Sequence, residues 1–247
     1  MSEESLTETN GFSKGPLEVY NMKNGRRGRA LIFNYEQFDP DLQMNPRFGS
    51  ETDCKNLEKS LKHLGFEVKV FRNLNKHEVN SELDKDYDED YEDDNVYAYD
   101  GKLPIKTITD KFKGTECKSL VKKPKIFIWQ VCSENEEEEA HDAIKKKNNL
   151  AGAGAVKTLP AAADFIMCYA VAKGSFSHRH TKKGCWYIQD LCKMLERYGD
   201  SLEFTELLTL VNREVATRDS GDNSIKGKQI PCFASMLTKE LYFHPKQ

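Results

Sequence analysis

The chain has 247 residues, of which 38% are hydrophobic and 31% charged, and its formal net charge is −3. This composition predicts a globular protein with a substantial core, and the small net charge excludes a general attraction to nucleic acid or to anionic membranes. No apolar run is long enough to span a membrane, and the first residues contain no apolar signal region. Seven cysteines without C-x-x-C spacing predict reduced, mostly buried thiols in the cytoplasm, with no metal site and no cofactor.

Strands and helices alternate along the chain after a polar N-terminus. Apolar or alternating runs predict strands at residues 30–34, 66–71, 96–99, 126–129, 163–170 and 231–237. Apolar residues at helical spacing predict a helix with Thr52 as its N-cap and Gly65 at its end, and further helices at 74–83, 105–112, 186–195 and 204–215. This order is typical of an α/β fold with a mostly parallel sheet covered on both faces.

Two segments interrupt the pattern. Residues 84–94 are almost purely acidic and aromatic, and they predict an exposed loop rather than a calcium site, because the run lacks the EF-hand spacing and its glycine. Residues 134–160 combine blocks of charge with a run of alanine and glycine, and they predict a flexible linker. The linker divides the chain into two ordered parts.

The strand at 126–129 is followed by a cysteine at the edge of the sheet where α/β folds usually place their chemistry. The sequence Gln130-Val131-Cys132-Ser133-Glu134 is similar to the Q-A-C-[RQG]-G signature of the caspase nucleophile, although three of its five positions differ. Other blocks match the same family in the same order, at 20–22, 29–36, 47–50, 64–68, 123–127, 174–188, 198–199, 210–216, 229–232 and 236–243. On these blocks the chain resembles a caspase of the short-prodomain effector kind, and an insect-type member is one expectation.

The resemblance implies the three-layer caspase-like fold, in which a mostly parallel, six-stranded-type sheet lies between helices. It also implies four regions, which are a short prodomain-like segment (1–19), a large-subunit-like region (20–133), an intersubunit linker (134–160) and a small-subunit-like region (161–247). Family members pair through their last strand. Residues 233–237 are therefore expected to form a dimer with an active caspase or with a second copy of this chain.

Caspases cleave after aspartate, and they hold its side chain with two arginines and a glutamine. The residues that match here are Arg47, Gln130 and Arg179. Two guanidinium groups and an amide suit a buried carboxylate, because charge-assisted hydrogen bonds offset its desolvation. The resemblance therefore implies that aspartate-bearing protein segments are the ligands.

The wall around this pocket is only partly kept. Ser177 and Trp186 match the family, whereas His178 stands where the family usually has a tryptophan. Recognition of the substrate beyond the aspartate is therefore expected to differ from that of other caspases.

The catalytic pair shows a larger departure. Cys132 occupies the position of the nucleophile, but counting back without gaps from Asp100 puts Asp90 and Tyr91 where the family has its histidine and its oxyanion-hole glycine. A carboxylate beside the cysteine would raise the pKa of the thiol, and the reaction also needs a proton donor for the leaving amine. Among the other histidines, His178 is the best remaining candidate for a base.

The chain is also shorter than the family pattern. Between residues 68 and 90 about a dozen residues are lacking, which corresponds to the interior apolar strand that leads to the histidine. The charged residues at 83–89 cannot replace that strand, because buried charges without partners are too costly. An incomplete transcript or gene model would explain the same difference.

Two functions therefore stay open. The first is a regulatory pseudo-caspase of apoptosis that lacks its catalytic base and acts as a heterodimer partner or as a decoy. The second is an active cysteine endopeptidase that cleaves after aspartate with Cys132. In either case Asp142 precedes a small residue in the linker and is a candidate processing site, with an ordinary acidic linker as the alternative.

Overall fold

The fold is mixed α/β in the computed structural model of the chain, which describes residues 17–22, 27–83, 95–130, 163–172, 177–218 and 229–245. Within these ranges no helix is long and apolar enough to cross a membrane. The described cysteines are all free thiols rather than disulfides.

The described part of the chain contains nine short strands and five α-helices. The strands are β1 (Arg29–Asn34), β2 (Glu67–Arg72), β3 (Asn95–Ala98), β4 (Gly101–Pro104), β5 (Lys125–Trp129), β6 (Phe165–Tyr169), β7 (Arg179–His180), β8 (Gly184–Cys185) and β9 (Cys232–Ser235). The helices are α1 (Ser50–His63), α2 (Lys76–Glu82), α3 (Ile105–Asp110), α4 (Trp186–Tyr198) and α5 (Phe204–Thr217). Strands β4, β7 and β8 were not predicted, because runs of two to four residues are too short to show a pattern.

The main strands form two separate ladders rather than one sheet. β1 pairs with β2 in parallel, while β5 pairs in parallel with β6, and β6 pairs antiparallel with β9. Within the described ranges no ladder joins β1 to β5. The α/β class is thus confirmed. The finer expectation of a single six-stranded-type sheet is not confirmed, because the described strands pair in separate ladders.

The two ladders differ in burial. The first four residues of β6 are completely buried, with 0% exposure each. In β1, by contrast, Leu31 is 36% exposed, and only Asn34 is buried. The prediction that β1 is a buried strand is therefore wrong for most of its length. An apolar run is buried only if neighbouring strands and helices cover it, and β1 has a described strand neighbour on one side only.

The larger core lies between β6 and the helices α4 and α5. Its centre is formed by Ile166, Leu191 and Val211, each 0% exposed. A smaller core on the other face of the β5–β6 ladder contains Ile105 from α3 and Phe127. Helix α1 packs against β1, β2 and α4, so it connects the two ladders.

The start of α1 is positioned by a glycine. Gly49 has a φ of 91°, and this left-handed conformation lets the chain turn into the helix directly after it. The prediction of Thr52 as the N-cap is wrong, since the helix already begins at Ser50. The Thr52 hydroxyl instead donates a hydrogen bond of 3.1 Å to the carbonyl oxygen of Lys182, in the β7–β8 hairpin.

Candidate functional site

The end of β5 and the start of the β7–β8 hairpin are tied together by one side-chain hydrogen bond. Gln130 directly follows β5, and its Nε2 donates to Oγ of Ser177 over 2.9 Å. Ser177 lies two residues before Arg179, where β7 begins. The structure thus brings Gln130 next to the loop that carries Arg179, as the family pattern requires.

Arg47 lies in the turn before α1 and is only 8% exposed. Its guanidinium carbon is 4.8 Å from the centre of the Phe38 ring, and its backbone N–H donates to the carbonyl oxygen of Glu36 over 2.8 Å. Stacking on an aromatic ring fixes the orientation of the planar guanidinium, while the N–H groups at its edge can still donate to an anion. Arg47 is therefore a held, buried cation rather than a surface charge.

The chain segments that carry the two arginines run against each other. A methyl group on Gly49 would lie 2.6 Å from the carbonyl oxygen of His180. Gly49 follows closely after Arg47, and His180 directly follows Arg179. Glycine is needed here for close approach as well as for its positive φ, and the approach brings the arginine-bearing segments to the same place.

An aromatic stack is found at the residues predicted to form the wall of the pocket. The rings of His178 and Trp186 have centres 4.3 Å apart and are inclined by 26°. On Trp186 the guanidinium carbon of Arg218 also lies 5.7 Å from the ring centre. Arg218 in turn makes two hydrogen bonds of 2.7 Å to the carboxylate of Asp190, which is 2% exposed. Of the predicted wall residues, His178 and Trp186 are thus in contact, and a partly buried ion pair lies against Trp186.

Gln229 is a supporting residue that the sequence did not reveal. It is fully buried; its Oε1 accepts from the N–H of His178 over 2.8 Å, and its Nε2 donates to the carbonyl oxygen of Ala170 over 2.7 Å. These bonds join the wall to the end of β6. The block at 229–232 matched the family pattern, but no role could be assigned without the hydrogen bonds.

The first turn of α1 is also fixed to the ends of β1 and β2. Glu51 accepts hydrogen bonds from Nε and Nη2 of Arg72 over 3.1 and 3.0 Å, and from Nδ2 of Asn34 over 3.3 Å. The hydrogen bonds from Arg72 lower the pKa of the Glu51 carboxyl, so this carboxylate stays charged under neutral conditions. The position of Arg47 therefore depends on contacts with the β1–β2 ladder.

Four of the predicted site residues lie outside the described part of the chain. They are the nucleophile Cys132, the replacements Asp90 and Tyr91, and the candidate processing site Asp142. Their roles stay predictions.

A family model described as the caspase domain matches residues 27–242. This match covers most of the chain and defines the class of protein. The chain belongs to the caspase family. The short prodomain and the insect-type origin stay predictions.

Several vertebrate caspases are similar to this chain. The chain is 46% identical to Caspase-6 of Gallus gallus, covering 98% of this chain and 90% of the relative. It is 48% identical to Caspase-6 of Mus musculus over 98% and 99% of the two chains, and 35% identical to Caspase-3 of Felis catus over 91% and 87%. The alignment with the chicken protein has 274 positions and is longer than this chain, so it contains residues of the relative that have no counterpart here.

Two thiols near the site are predicted to be unreactive, the buried Cys54 in α1 and the partly buried Cys192 in α4. Burial is the main cause that raises the pKa of Cys54 to about 11 and that of Cys192 to about 11. Because the thiolate is the reactive form, we expect iodoacetamide at pH 7.5 to modify the half-exposed Cys117 well before either of them. Their rates should rise about tenfold per pH unit towards pH 11. Mass spectrometry of timed samples checks this, and equal rates at pH 7.5 for Cys117 and Cys192 would contradict it.

Proposed function

We propose that the protein is a regulatory caspase homologue that binds aspartate-bearing protein segments and has little or no protease activity of its own. The pocket for the aspartate side chain consists of Arg47, Gln130 and Arg179. The observation that carries this proposal is the close approach of Gly49 to His180, which brings the two arginine-bearing segments together beside the end of β5.

The weak catalysis in this proposal is supported by the gap between the two ladders. The described strands leave the outer edge of β1 without a partner strand and Leu31 partly exposed. A chain that is shorter than its Caspase-6 relatives agrees with the loss of an interior strand. In the family pattern that strand leads to the catalytic histidine, and displacements of about 1 Å already cost about a hundredfold in rate. We therefore expect the base and the oxyanion hole to be absent.

The alternative is an active endopeptidase that uses Cys132. The same pocket favours it, since an enzyme that cleaves after aspartate needs the pocket as much as a binding protein does. Among the histidines near the groove, the ring of His178 stacks on Trp186, and Nδ1 of His180 accepts from the N–H groups of Lys182 and Lys183 over 3.0 and 3.3 Å. Both rings therefore have a structural role, which favours the regulatory function.

One experiment separates the two functions. The purified chain is incubated with an internally quenched peptide that contains a single aspartate, and an increase in fluorescence reports hydrolysis. Binding of a fluorescently labelled version of the same peptide is measured separately by fluorescence anisotropy. The proposal expects binding without hydrolysis, and weaker binding of the matched peptide with asparagine. Hydrolysis after aspartate that disappears in Cys132→Ala would instead establish the endopeptidase. Equal binding of both peptides would contradict the proposed pocket.

Dimer formation through β9 is part of the proposal. β9 is the last strand of its ladder in the described residues, and Phe233 and Ala234 are half-buried. Because Met236 donates its N–H to Phe165 in β6, strand alternation points the N–H of Ser235 away from that ladder. No described strand pairs with this edge, and in the proposal it pairs with an active caspase or with a second copy of the chain.

A proline at the outward-facing position is expected to prevent this pairing. Ser235→Pro removes one outward donor and leaves the bonds to β6 in place, so we expect it to shift the protein from dimer to monomer in sedimentation velocity. Ser235→Ala, which keeps the backbone N–H, serves as the control and should stay dimeric. A proline variant that dimerises as well as the control, alone or with an effector caspase, would exclude the β9 edge.

Processing in the linker is the remaining element. We expect an active effector caspase to cut the chain after Asp142, between the large-subunit-like and small-subunit-like regions, in the reducing cytoplasm where caspase thiols stay active. Mass spectrometry of the fragments locates the cut. An intact chain, or a cut elsewhere that persists in Asp142→Ala, would remove Asp142 from the proposal.

A further inference from the structure

Asp53 joins the first turn of α1 to the β7–β8 hairpin. Its side chain is only 7% exposed, and both of its carboxylate oxygens accept from the backbone N–H of Cys185 over 2.9 Å. A hydrogen bond to a charged carboxylate is shorter and about twice as strong as one between neutral groups. The hairpin is thus attached to α1 by a buried, charge-assisted contact.

Cys185, the residue bound by Asp53, lies opposite Arg179, one of the two arginines of the proposed pocket. In the β7–β8 ladder Cys185 is the partner of Arg179. The carboxylate of Asp53 therefore holds the strand that pairs with Arg179, while Arg47 lies in the turn that leads into the helix of Asp53. The carboxylate of Asp53 thus connects the start of α1, next to Arg47, with the strand that pairs with Arg179.

The neighbouring residue of the hairpin leaves room for this contact. Gly184 has a φ of 85°, and a methyl group on it would lie 2.0 Å from Oδ1 of Asp53. Any other residue would push the carboxylate away. A second bond, from Thr52 to the carbonyl oxygen of Lys182, fixes the hairpin tip to the same helical turn.

We infer that Asp53 is a positioning residue of the aspartate pocket, which sets the place of Arg179 relative to Arg47 by fixing the β7–β8 hairpin on α1. This inference rests on the proposed function, because it needs a pocket that binds aspartate. Two guanidinium groups at a set spacing select a carboxylate over an amide, since the amide offers one acceptor oxygen and leaves donors unsatisfied. Loosening the hairpin should therefore reduce the selectivity more than the general affinity for peptide.

The test compares the affinities for two peptides that differ only in aspartate against asparagine. Asp53→Asn keeps the shape and one acceptor oxygen but loses the charge. We expect it to weaken binding of the aspartate peptide by about tenfold and to leave the asparagine peptide nearly unchanged, as measured by fluorescence anisotropy. A variant that merely lowers stability would reduce the active fraction for both peptides alike. An unchanged ratio in Asp53→Asn would overturn the inference.

Asp164→Asn is the matched control. Asp164 is another buried aspartate, 6% exposed, and it accepts from the Tyr20 hydroxyl over 2.7 Å. It precedes β6, at the end of the strands opposite to Gln130. This control should lose stability and keep the selectivity of the wild type, and a loss of selectivity here as well would overturn the specific role of Asp53.

Two further outcomes are decisive. If the wild type binds neither peptide, the proposed function fails and the inference fails with it. If the wild type and Asp53→Asn both prefer the aspartate peptide over the asparagine peptide to the same degree, only the inference is contradicted. If circular dichroism shows that Asp53→Asn does not fold, Thr52→Val replaces it, because this change removes only the bond to Lys182. A lower selectivity ratio in Thr52→Val then supports the inference, and an unchanged ratio overturns it.

Discussion

Replacing Arg47 by methionine is expected to weaken the binding of an aspartate-bearing peptide by about a hundredfold or more. The guanidinium of Arg47 is buried against Phe38, and methionine preserves the apolar part of that contact while removing every donor. A carboxylate that enters the pocket would then lose one of its two cationic partners after it has lost its water. Fluorescence anisotropy with the aspartate and asparagine peptides measures the effect.

Arg213→Met is the control for this prediction. Arg213 is exposed on α5, so the same change there should leave the affinity within about twofold of the wild type. If Arg47→Met binds the aspartate peptide as well as the control does, Arg47 does not belong to the pocket. A loss in both variants would instead point to a general effect of charge on the peptide.

The second large effect concerns stability and compares the two ladders. Ile166→Ala in β6 is expected to lower the free energy of unfolding by about 2–5 kcal/mol, because Ile166 is completely buried and the substitution leaves a cavity. Leu31→Ala in β1 should cost about 1 kcal/mol or less, since Leu31 is already 36% exposed. Equilibrium unfolding in urea gives both values.

The ratio of these two costs tests the gap in the sheet. Similar costs at Ile166 and Leu31 would show that another segment or a partner chain covers the outer edge of β1 in solution. A small cost at Leu31 would support a sheet that lacks its interior strand. That result would also support weak catalysis. In the family pattern, the interior strand that the sequence predicts to be missing leads to the catalytic histidine.

The proposed pocket and the proposed loss of catalysis rest on different parts of this fold. The segments of the proposed pocket are held by α1, the end of β5 and the β7–β8 hairpin, through contacts such as Gln130–Ser177 and Asp53–Cys185. None of these contacts involves the side of β1 that has no partner strand among the described residues. Loss of an interior strand can therefore remove catalysis and still leave a protein that recognises aspartate.

Most long elements could be predicted from the sequence, but burial and short strands could not. The helices α4 and α5 show their apolar faces in the sequence at helical spacing, and both were found where predicted. The residues of β1 look like a buried strand, yet burial depends on what lies beside the strand. The hairpin of β7 and β8 has only two residues in each strand, and its pairing is stabilised by α1 rather than by its own sequence.

The sequence by itself determined the family and predicted which residues form the pocket. Collinear blocks over most of the chain placed Arg47, Gln130 and Arg179 at positions that carry a defined chemistry, and the match to the caspase domain confirms the family. Only the tertiary structure showed the hydrogen bonds of Asp53 and Gln229. It also leaves one side of β1 without a described partner strand, where the sequence pattern already predicted that an interior strand is missing. The physical reason is that a hydrogen bond between distant residues, and the exposure of a strand edge, depend on which segments meet in space, and spacing along the chain does not record this.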